Sequence, residues 1–435
     1  MSSSGKFDRW GRWLKVTFML GATAVLALVL LAGCGGGSSS SSTAAEPATT
    51  EAEGNSGETE PAAETEAADE STVSEAELQK TVNEALSSEK FKASELEPLV
   101  KETFERATPE LTSAQLDKAY ECWKGTSCTL GEGPITLGFA DNFSGNTWRQ
   151  FTKMNVILEA LTHPEVGKFI YTDANYDLAT YQANLRSLTA QRANAIVTPE
   201  EFGPAAYSAV TAAQREGAKI ASFLGQPEKV PATALTASSN YELCETAAEM
   251  VAATEEAVGS NGPVAYFEGL AGSTQDAKLK ECLEEEGVEI VFTAATEYTP
   301  AGAQKAASAL IASGKPAKAI LYTYSNVVPG IVNGYLKAGE QTPAIVTLTQ
   351  SNETICQMAE HPYPLYVTNS ANWSARIATN AAIQAAEGEE VPRSSIFPLP
   401  FYKAQKSECD KSRSAEYPGA ALVPESLTEK MLAGQ

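Results

Sequence analysis

Along the chain, short apolar runs alternate with stretches in which apolar residues recur at three and four positions, beginning at Ile135. Ile135, Leu137 and Phe139 fit a strand, whereas Phe151, Met154, Leu158 and Leu161 line one face of a helix. Apolar runs follow at 168–172, 193–197 and 219–223, with helix-period runs at 178–188 and 205–215 between them. In the first of these helices Leu178, Tyr181, Leu185 and Leu188 form a stripe that predicts core packing. A second set of strands is predicted at 263–267, 289–292, 319–322 and 344–348, again separated by helices. Residues 365–368 then lead into a helix over 372–386, and 396–402 lead into a loose end. This alternation predicts right-handed βαβ units on parallel sheets, and two sets joined by a late return helix predict two lobes with several crossings.

The first strand and helix are separated by a polar loop carrying Asp141, Asn142, Ser144, Asn146, Trp148 and Arg149. In an open parallel sheet ligands bind beyond the carboxyl ends of strands, where the next helix also offers free backbone N–H groups. The loop is therefore a candidate binding lip, although an ordinary connection capped by Ser or Asn would look the same. Upstream, residues 75–124 read as helices: Leu78, Val82 and Leu86 share a face, and Thr112 with Gln115 resembles a capping box.

Composition narrows the functions. At 435 residues and 43% hydrophobic content the chain can fill two or three domains. A formal net charge of −23 and a pI near 4.6, with no basic stripe, exclude a nucleic-acid partner, which needs clustered Lys and Arg. The two histidines, His163 and His361, belong to no ligand-spaced cluster, so neither a His-based zinc site nor a Ser–His relay is supported. No G-x-S-x-G or H-E-x-x-H occurs, which leaves an exported hydrolase as a weak rival that only paired carboxylates could serve.

The first fifteen residues carry Lys6, Arg9, Arg12 and Lys15 against Asp8, and an apolar run follows from Val16 to Ala32. This is the build of an export signal, or of a short signal anchor. The run ends in Leu31-Ala32-Gly33-Cys34, which resembles the lipobox of bacterial lipoproteins. That resemblance implies cleavage before Cys34 and a lipid on its thiol, holding the chain at the outer face of a membrane. Removing the leader would take the formal net charge from −23 to −26. Residues 35–74 hold nine acids and no base and almost nothing that could build a core, so they are expected to form a disordered, extended tether. Six cysteines remain besides Cys34, an even number that reads as three disulfides in an exported chain. Cys122 and Cys128 could also suggest half of a metal site, but no second pair supports it.

Four segments carry a wider resemblance: ITLGFADNFSGNTWR, DANYDLATYQANLRSLTAQRANAIVTP, FEGLAGSTQDAKLKECLEEEGVEIV and AILYTYSNVVPGIVNGYLKAG. In this order behind a lipobox they resemble the type 1 periplasmic binding proteins, the sugar-binding kind that serves ABC transporters, over about 135–403. The resemblance implies an α/β fold of two Rossmann-like lobes with parallel sheets, joined by a three-segment hinge near 233–239, 369–372 and 391–398. The expected layout is a leader at 1–33, a lipidated linker at 34–74 and a helical extension at 75–130. The first lobe would be 131–235 with 370–395, and the second 236–369 with 396–435. Ligand would sit in the cleft, lobe closure would bury it, and a permease would recognise the closed form.

Residue by residue, Trp148-Arg149 resembles the pair that hexose-binding relatives set against the sugar, and Tyr298 falls where relatives carry an aromatic. Other positions depart. Leu224-Gly225 stands where Asp-Arg is frequent, Ala277 where Arg is common, Tyr324-Ser325 where Asn-Asp is common and Thr349 where Asp is common. The expectation is that Asp141, Asn142, Trp148 and Arg149 from the first lobe, with Tyr298, Tyr324, Thr349 and Asn369 from the second and the hinge, contact a small uncharged polar ligand such as a sugar or polyol. No cofactor, metal or catalytic residue is expected, and the protein would be a monomer serving a permease. A ligand-sensing lipoprotein that partners a membrane receptor would share all these features. The favoured cysteine pairing is Cys122 with Cys128, closing a short loop, and Cys244 with Cys282, joining neighbouring helices. Cys356 with Cys409 would staple the C-terminal tail to the second lobe.

Overall fold

The computed structural model describes residues 73–199, 201–224, 235–322 and 324–434. The leader, Cys34, nearly all of the acidic linker, Gly225 and the start of the first expected hinge segment lie outside these residues. Among the described residues no helix is long and apolar enough to cross a membrane.

Three helices come first: α1 (Glu75–Leu86), α2 (Pro98–Ala107) and α3 (Ser113–Lys124). Ser74 with Glu77 and Thr112 with Gln115 form reciprocal capping boxes that start α1 and α3. Leu78, Val82 and Leu86 are buried, as their shared face requires. The chain then forms β1 (Ser127–Thr129), β2 (Ile135–Asp141), α4 (Thr147–Ala160), β3 (Val166–Asp173), α5 (Leu178–Ala190) and β4 (Ala195–Pro199). It continues through α6 (Tyr207–Arg215), β5 (Lys219–Phe223) and β6 (Ala237–Asn240). The second series is α7 (Leu243–Val258), β7 (Val264–Glu268), α8 (Thr274–Glu285), β8 (Ile290–Ala295), α9 (Pro300–Ser313) and β9 (Ala319–Tyr322). After α10 (Val328–Ala338), β10 (Ala344–Thr347), α11 (Asn352–Glu360) and β11 (Leu365–Val367), the chain returns as α12 (Ser374–Glu387) and β12 (Ser395–Ile396). It ends with β13 (Tyr402–Lys403) and α13 (Glu425–Ala433).

Two sheets result. One has the order β1-β3-β2-β4-β5-β6-β12 and the other β13-β11-β10-β9-β7-β8. Among the described residues all pairings within the sheets are parallel except those of the edge strands β1 and β13, which run antiparallel to β3 and β11. The interior strands are buried on both faces by helices, which is why they read as continuous apolar runs. The fold is thus α/β with two lobes, and the chain passes between the sheets at Tyr241–Glu242, at 368–373 and at 397–401.

These crossings correct the expected boundaries. Residues Ala237–Asn240 pair with β5 in the first sheet, so the second lobe does not begin at 236 and the first crossing lies after the strand rather than at 233–239. ASSN has no apolar alternation to betray a strand, yet all four residues are buried, with Ser239 donating to the Ser374 carbonyl at 2.9 Å. Ser395–Ile396 likewise pairs with β6 in the first sheet, and α13 packs on α3, so 396–435 is not wholly second lobe. The short SCT strand β1 was also not legible, and it stitches the helical extension to the edge of the first sheet.

The extension covers the crossings. Tyr241, Trp373 and Phe397, one from each crossing, form an aromatic cluster with ring separations of 6.1 Å (Tyr241–Phe397) and 4.8 Å (Trp373–Phe397). Phe104 of α2 meets Trp373 edge-on at 5.1 Å, and the Trp373 indole N–H donates to the Ala85 carbonyl at 3.1 Å. Burying Phe side chains of this kind contributes roughly 1.5–3 kcal/mol each. The six cysteines are bonded as Cys122–Cys128, Cys244–Cys282 and Cys356–Cys409, joining α3 to β1, α7 to α8, and α11 to the tail.

Candidate functional site

Parallel strands of both lobes end on a cavity of about 770 Å³. Its first-lobe wall comes from the loop and first turn at 144–150, Tyr176, Glu201 and Leu224, which follow β2, β3, β4 and β5. The second-lobe wall comes from 298–300, 324–326 and 349–351, which follow β8, β9 and β10. The carboxyl ends of the strands therefore build the site, as expected for parallel sheets. Four cleft residues hold left-handed backbone: Tyr176 (φ 59°), Leu224 (φ 56°), Tyr298 (φ 53°) and Thr349 (φ 66°). Such conformations cost on the order of 1–3 kcal/mol for a non-glycine residue and persist where neighbours fix them. The fixing bonds are present: Tyr176 N–H donates to the Asn142 carbonyl at 2.7 Å, Leu224 N–H to the Ser239 carbonyl at 3.1 Å, and Thr349 N–H to the Thr368 hydroxyl at 2.9 Å.

The lip forms as the sequence implies. Asn146 caps α4, its side chain accepting from Arg149 N–H at 2.9 Å, which sets Trp148 and Arg149 in the first turn. Trp148 is half-buried, and its indole N–H donates to the Ser370 carbonyl in the second crossing at 2.7 Å. The Arg149 guanidinium lies 5.2 Å from the Trp148 ring, pairs closely with Glu201 and stands 3.5 Å from Asp141. One cation is thus shared by two carboxylates. Burial alone would lower the Arg149 pKa, but Glu201 and Asp141 outweigh it and hold the group above its ordinary value. Asp141 is fully enclosed, so burial pushes its carboxyl up to about 7, with Arg149 opposing and Glu201 reinforcing the rise. Glu201 makes the closer contact with Arg149 and keeps some solvent, whereas Asp141 stands fully buried behind it.

The second wall centres on phenols and hydroxyls, with the carboxylates of Glu353 and, from the tail, Glu416 also among its lining residues. Tyr298 and Tyr324 meet edge-on at 5.1 Å, and burial raises both phenols, so they are protonated donors. The Thr349 hydroxyl is 2.9 Å from that of Ser325 and accepts from Ser325 N–H at 3.1 Å. Gly269 packs beneath Tyr298, where a Cβ would overlap the ring.

Of the eight expected contact residues, the structure brings Trp148, Arg149, Tyr298, Tyr324 and Thr349 to the cavity. Asp141, Asn142 and Asn369 are fully buried and do not line it. Asp141 accepts from the Tyr171 hydroxyl at 3.1 Å and sits behind Arg149, and Asn142 donates to the Pro199 carbonyl at 3.3 Å. The Asn369 side chain accepts from Ala371 N–H at 2.8 Å and shapes the second crossing. Ala277 is not among the lining residues. Sequence reasoning missed Tyr176, Glu201, Gln350 and Glu416. The first three follow strand ends and could have been found by that position, whereas Glu416 arrives from the tail and left no signal.

His163 is buried between Glu159 (3.5 Å) and Glu165 (3.6 Å), and neither it nor His361 lines the cavity. Cys244 and Cys282 lie near Glu285, but their sulfurs are bonded to each other and offer no thiolate.

A family profile described as periplasmic binding protein domain matches residues 137–390. Solved structures with the same fold include an ABC transporter solute binding protein from Bacillus halodurans with bound myo-inositol, at 15% identity and TM-score 0.56, covering 63% of this chain and 98% of that one. A 5-methylthioribose transporter solute binding protein from Thermotoga lettingae aligns at 16% identity and TM-score 0.52, covering 69% of this chain and 100% of its own. A Mycobacterium smegmatis protein in complex with β-D-fucofuranose aligns at 16% identity and TM-score 0.54, covering 69% and 97%. No curated protein matches the sequence.

Proposed function

The chain belongs to the periplasmic binding protein domain family, and we propose that it captures a small, uncharged polar solute of sugar or polyol type between its lobes and delivers it to an ABC transporter permease. It does so as a monomer, without cofactor or catalytic step, held at the outer face of a membrane by lipid on Cys34. The observation that carries this reading is the side-chain chemistry of the cleft. Arg149 is already paired with Glu201 and Asp141, and the opposite wall offers phenols, hydroxyls and amides, with the carboxylates of Glu353 and Glu416 as further acceptors. A guanidinium beside a carboxylate supplies donors and an acceptor for adjacent hydroxyls, while Trp148, Tyr298 and Tyr324 cover a ligand's C–H surface. Asp141, Asn142 and Asn369 act from behind, holding Arg149, Tyr176 and the crossing in place. The solutes named with the solved relatives, such as myo-inositol and 5-methylthioribose, are polyhydroxylated rings, which supports the class.

The test is a thermal-shift screen across sugars, cyclitols, polyols, nucleosides and charged solutes. A ligand at about 100 times its Kd adds roughly 2.7 kcal/mol of stability. Stabilisation by neutral polyhydroxylated solutes, lost in Trp148→Ala, is expected; stabilisation by charged solutes alone would overturn the reading. For the anchor, Cys34→Ala is expected to leave the chain unprocessed or released from the membrane fraction, and unchanged processing and attachment would refute it.

A further inference from the structure

The family domain ends near residue 390, and beyond β13 the chain takes a path that the two sheets do not require. This tail is fastened to the second lobe by independent links. Cys409 is bonded to Cys356 of α11. The Asn352 side chain donates to the Asp410 carbonyl at 2.8 Å and accepts from Asp410 N–H at 3.0 Å. Backbone bonds run from Glu353 N–H to Ala415 (2.8 Å), from Asn352 N–H to Tyr417 (2.9 Å) and from Gly419 N–H to Gln350 (3.2 Å). The first turn of α11 thus satisfies free N–H groups with the tail. Within two residues the partners change lobe. Asn155 of α4 donates to the Ala421 carbonyl at 3.0 Å, and Arg376 of α12 donates to the Leu422 carbonyl at 3.1 Å. α13 then buries Leu427 and Met431, and the Tyr120 hydroxyl of α3 donates to the Lys430 carbonyl at 3.3 Å. Ala420 (φ 47°) and Leu422 (φ 50°) are both left-handed, so the transfer is a tight bend with no slack.

We infer that this tail is a fourth crossing, a strap that limits how far the lobes open and supplies part of the cleft wall. Glu416 and Pro418 line the cavity, and Glu416 is hydrogen-bonded by Thr147 at the start of α4. Ser370 N–H of the second crossing donates to the Gly419 carbonyl at 3.2 Å. Gly419 lets the strap pass against the cleft residue Gln350, whose side chain a Cβ there would overlap. A two-residue span reaches at most about 7 Å, so wide opening must break the Asn155 and Arg376 bonds. The inference rests on the capture reading in one respect, that the lobes move to admit a ligand, but its primary test needs none.

Inserting Gly-Ser-Gly between Gly419 and Ala420 of the mature chain adds roughly 10 Å of reach and removes no side chain. In X-ray scattering without ligand, the insertion variant is expected to have a larger radius of gyration than the parent. Amide exchange at Tyr241–Glu242 and 397–401 is expected to be faster. For any solute found in the screen, binding is expected to weaken about tenfold, about 1.4 kcal/mol. Scattering and exchange that coincide with the parent overturn the strap, whatever the solute screen finds. Should the insertion prevent folding, Cys356→Ser with Cys409→Ser frees the second-lobe anchor, with the same readouts and the same overturning result. A screen without hits would count against the capture reading, while the ligand-free measurements would still decide the strap.

Discussion

The two walls of the cleft solve the same task with opposite chemistry. On the first lobe, Arg149 is only 4% exposed and is held by Glu201 and Asp141, so its charge is satisfied before any ligand arrives. On the second lobe, Tyr298, Tyr324, Thr349 and Gln350 carry no charge and are set by backbone turns and ring contacts. The comparison teaches that a charged residue on a cleft wall is not the same as charge offered to a ligand. It also teaches that the ionic wall is expensive to disturb, because removing one partner strands the others in low dielectric.

The largest effect should come from the ionic wall. Arg149→Ala leaves Asp141 and Glu201 without their cation and is expected to destabilise the protein by about 3–5 kcal/mol in urea unfolding, the range for a broken buried pair. A loss under about 1 kcal/mol, the range of an exposed pair, would mean that the three groups are not coupled through their charges.

Next comes the proton on Asp141. Its carboxyl sits at about 7 in the folded chain against 3.8 for the free group, so between these values the folded state holds a proton that the unfolded state has released. The contribution to stability is complete below about pH 3.8 and is lost as pH rises through 7, with a slope of up to about 1.4 kcal/mol per pH unit. Asp141→Asn cannot release that proton. Unfolding across about pH 4 to 8 should therefore show the variant gaining on the parent as pH rises, and parallel curves would contradict the assignment.

The smallest effect probes the aromatic part of the second wall. Gly269→Ala pushes the Tyr298 ring toward the cavity, and solute affinity in calorimetry should fall about tenfold, roughly 1.4 kcal/mol, with little change in unfolding. Equal affinity would mean that Tyr298 does not contact the solute.

Much of the architecture was legible because parallel strands buried on both faces leave apolar runs that stop at polar loops. β5 and β9 fall where the apolar runs predict, and α5 buries Tyr181, Leu185 and Leu188 of its predicted stripe. β6 was not legible because Ala237–Asn240 satisfies its polar groups through partners distant in the chain, among them the carbonyls of Arg393 and Ser374. The lip was legible as a place, since Asn146 caps α4 from three residues away. Which of its polar residues face the cavity was not.

The sequence by itself determined the strand and helix alternation, the capping boxes, the position of Trp148 and Arg149 at a helix start, and an even set of cysteines for three bonds. Those features are local, set by side-chain periodicity and by hydrogen bonds within a turn. Tertiary structure alone decided that Asp141, Asn142 and Asn369 turn away from the cavity while Glu416 reaches it from the tail. Nothing in residue type separates an Asp that braces an Arg from a Glu that shares it with solvent. The difference is made by burial, by left-handed turns held by backbone partners, and by contacts such as that between Asn155 and Ala421, 266 residues apart.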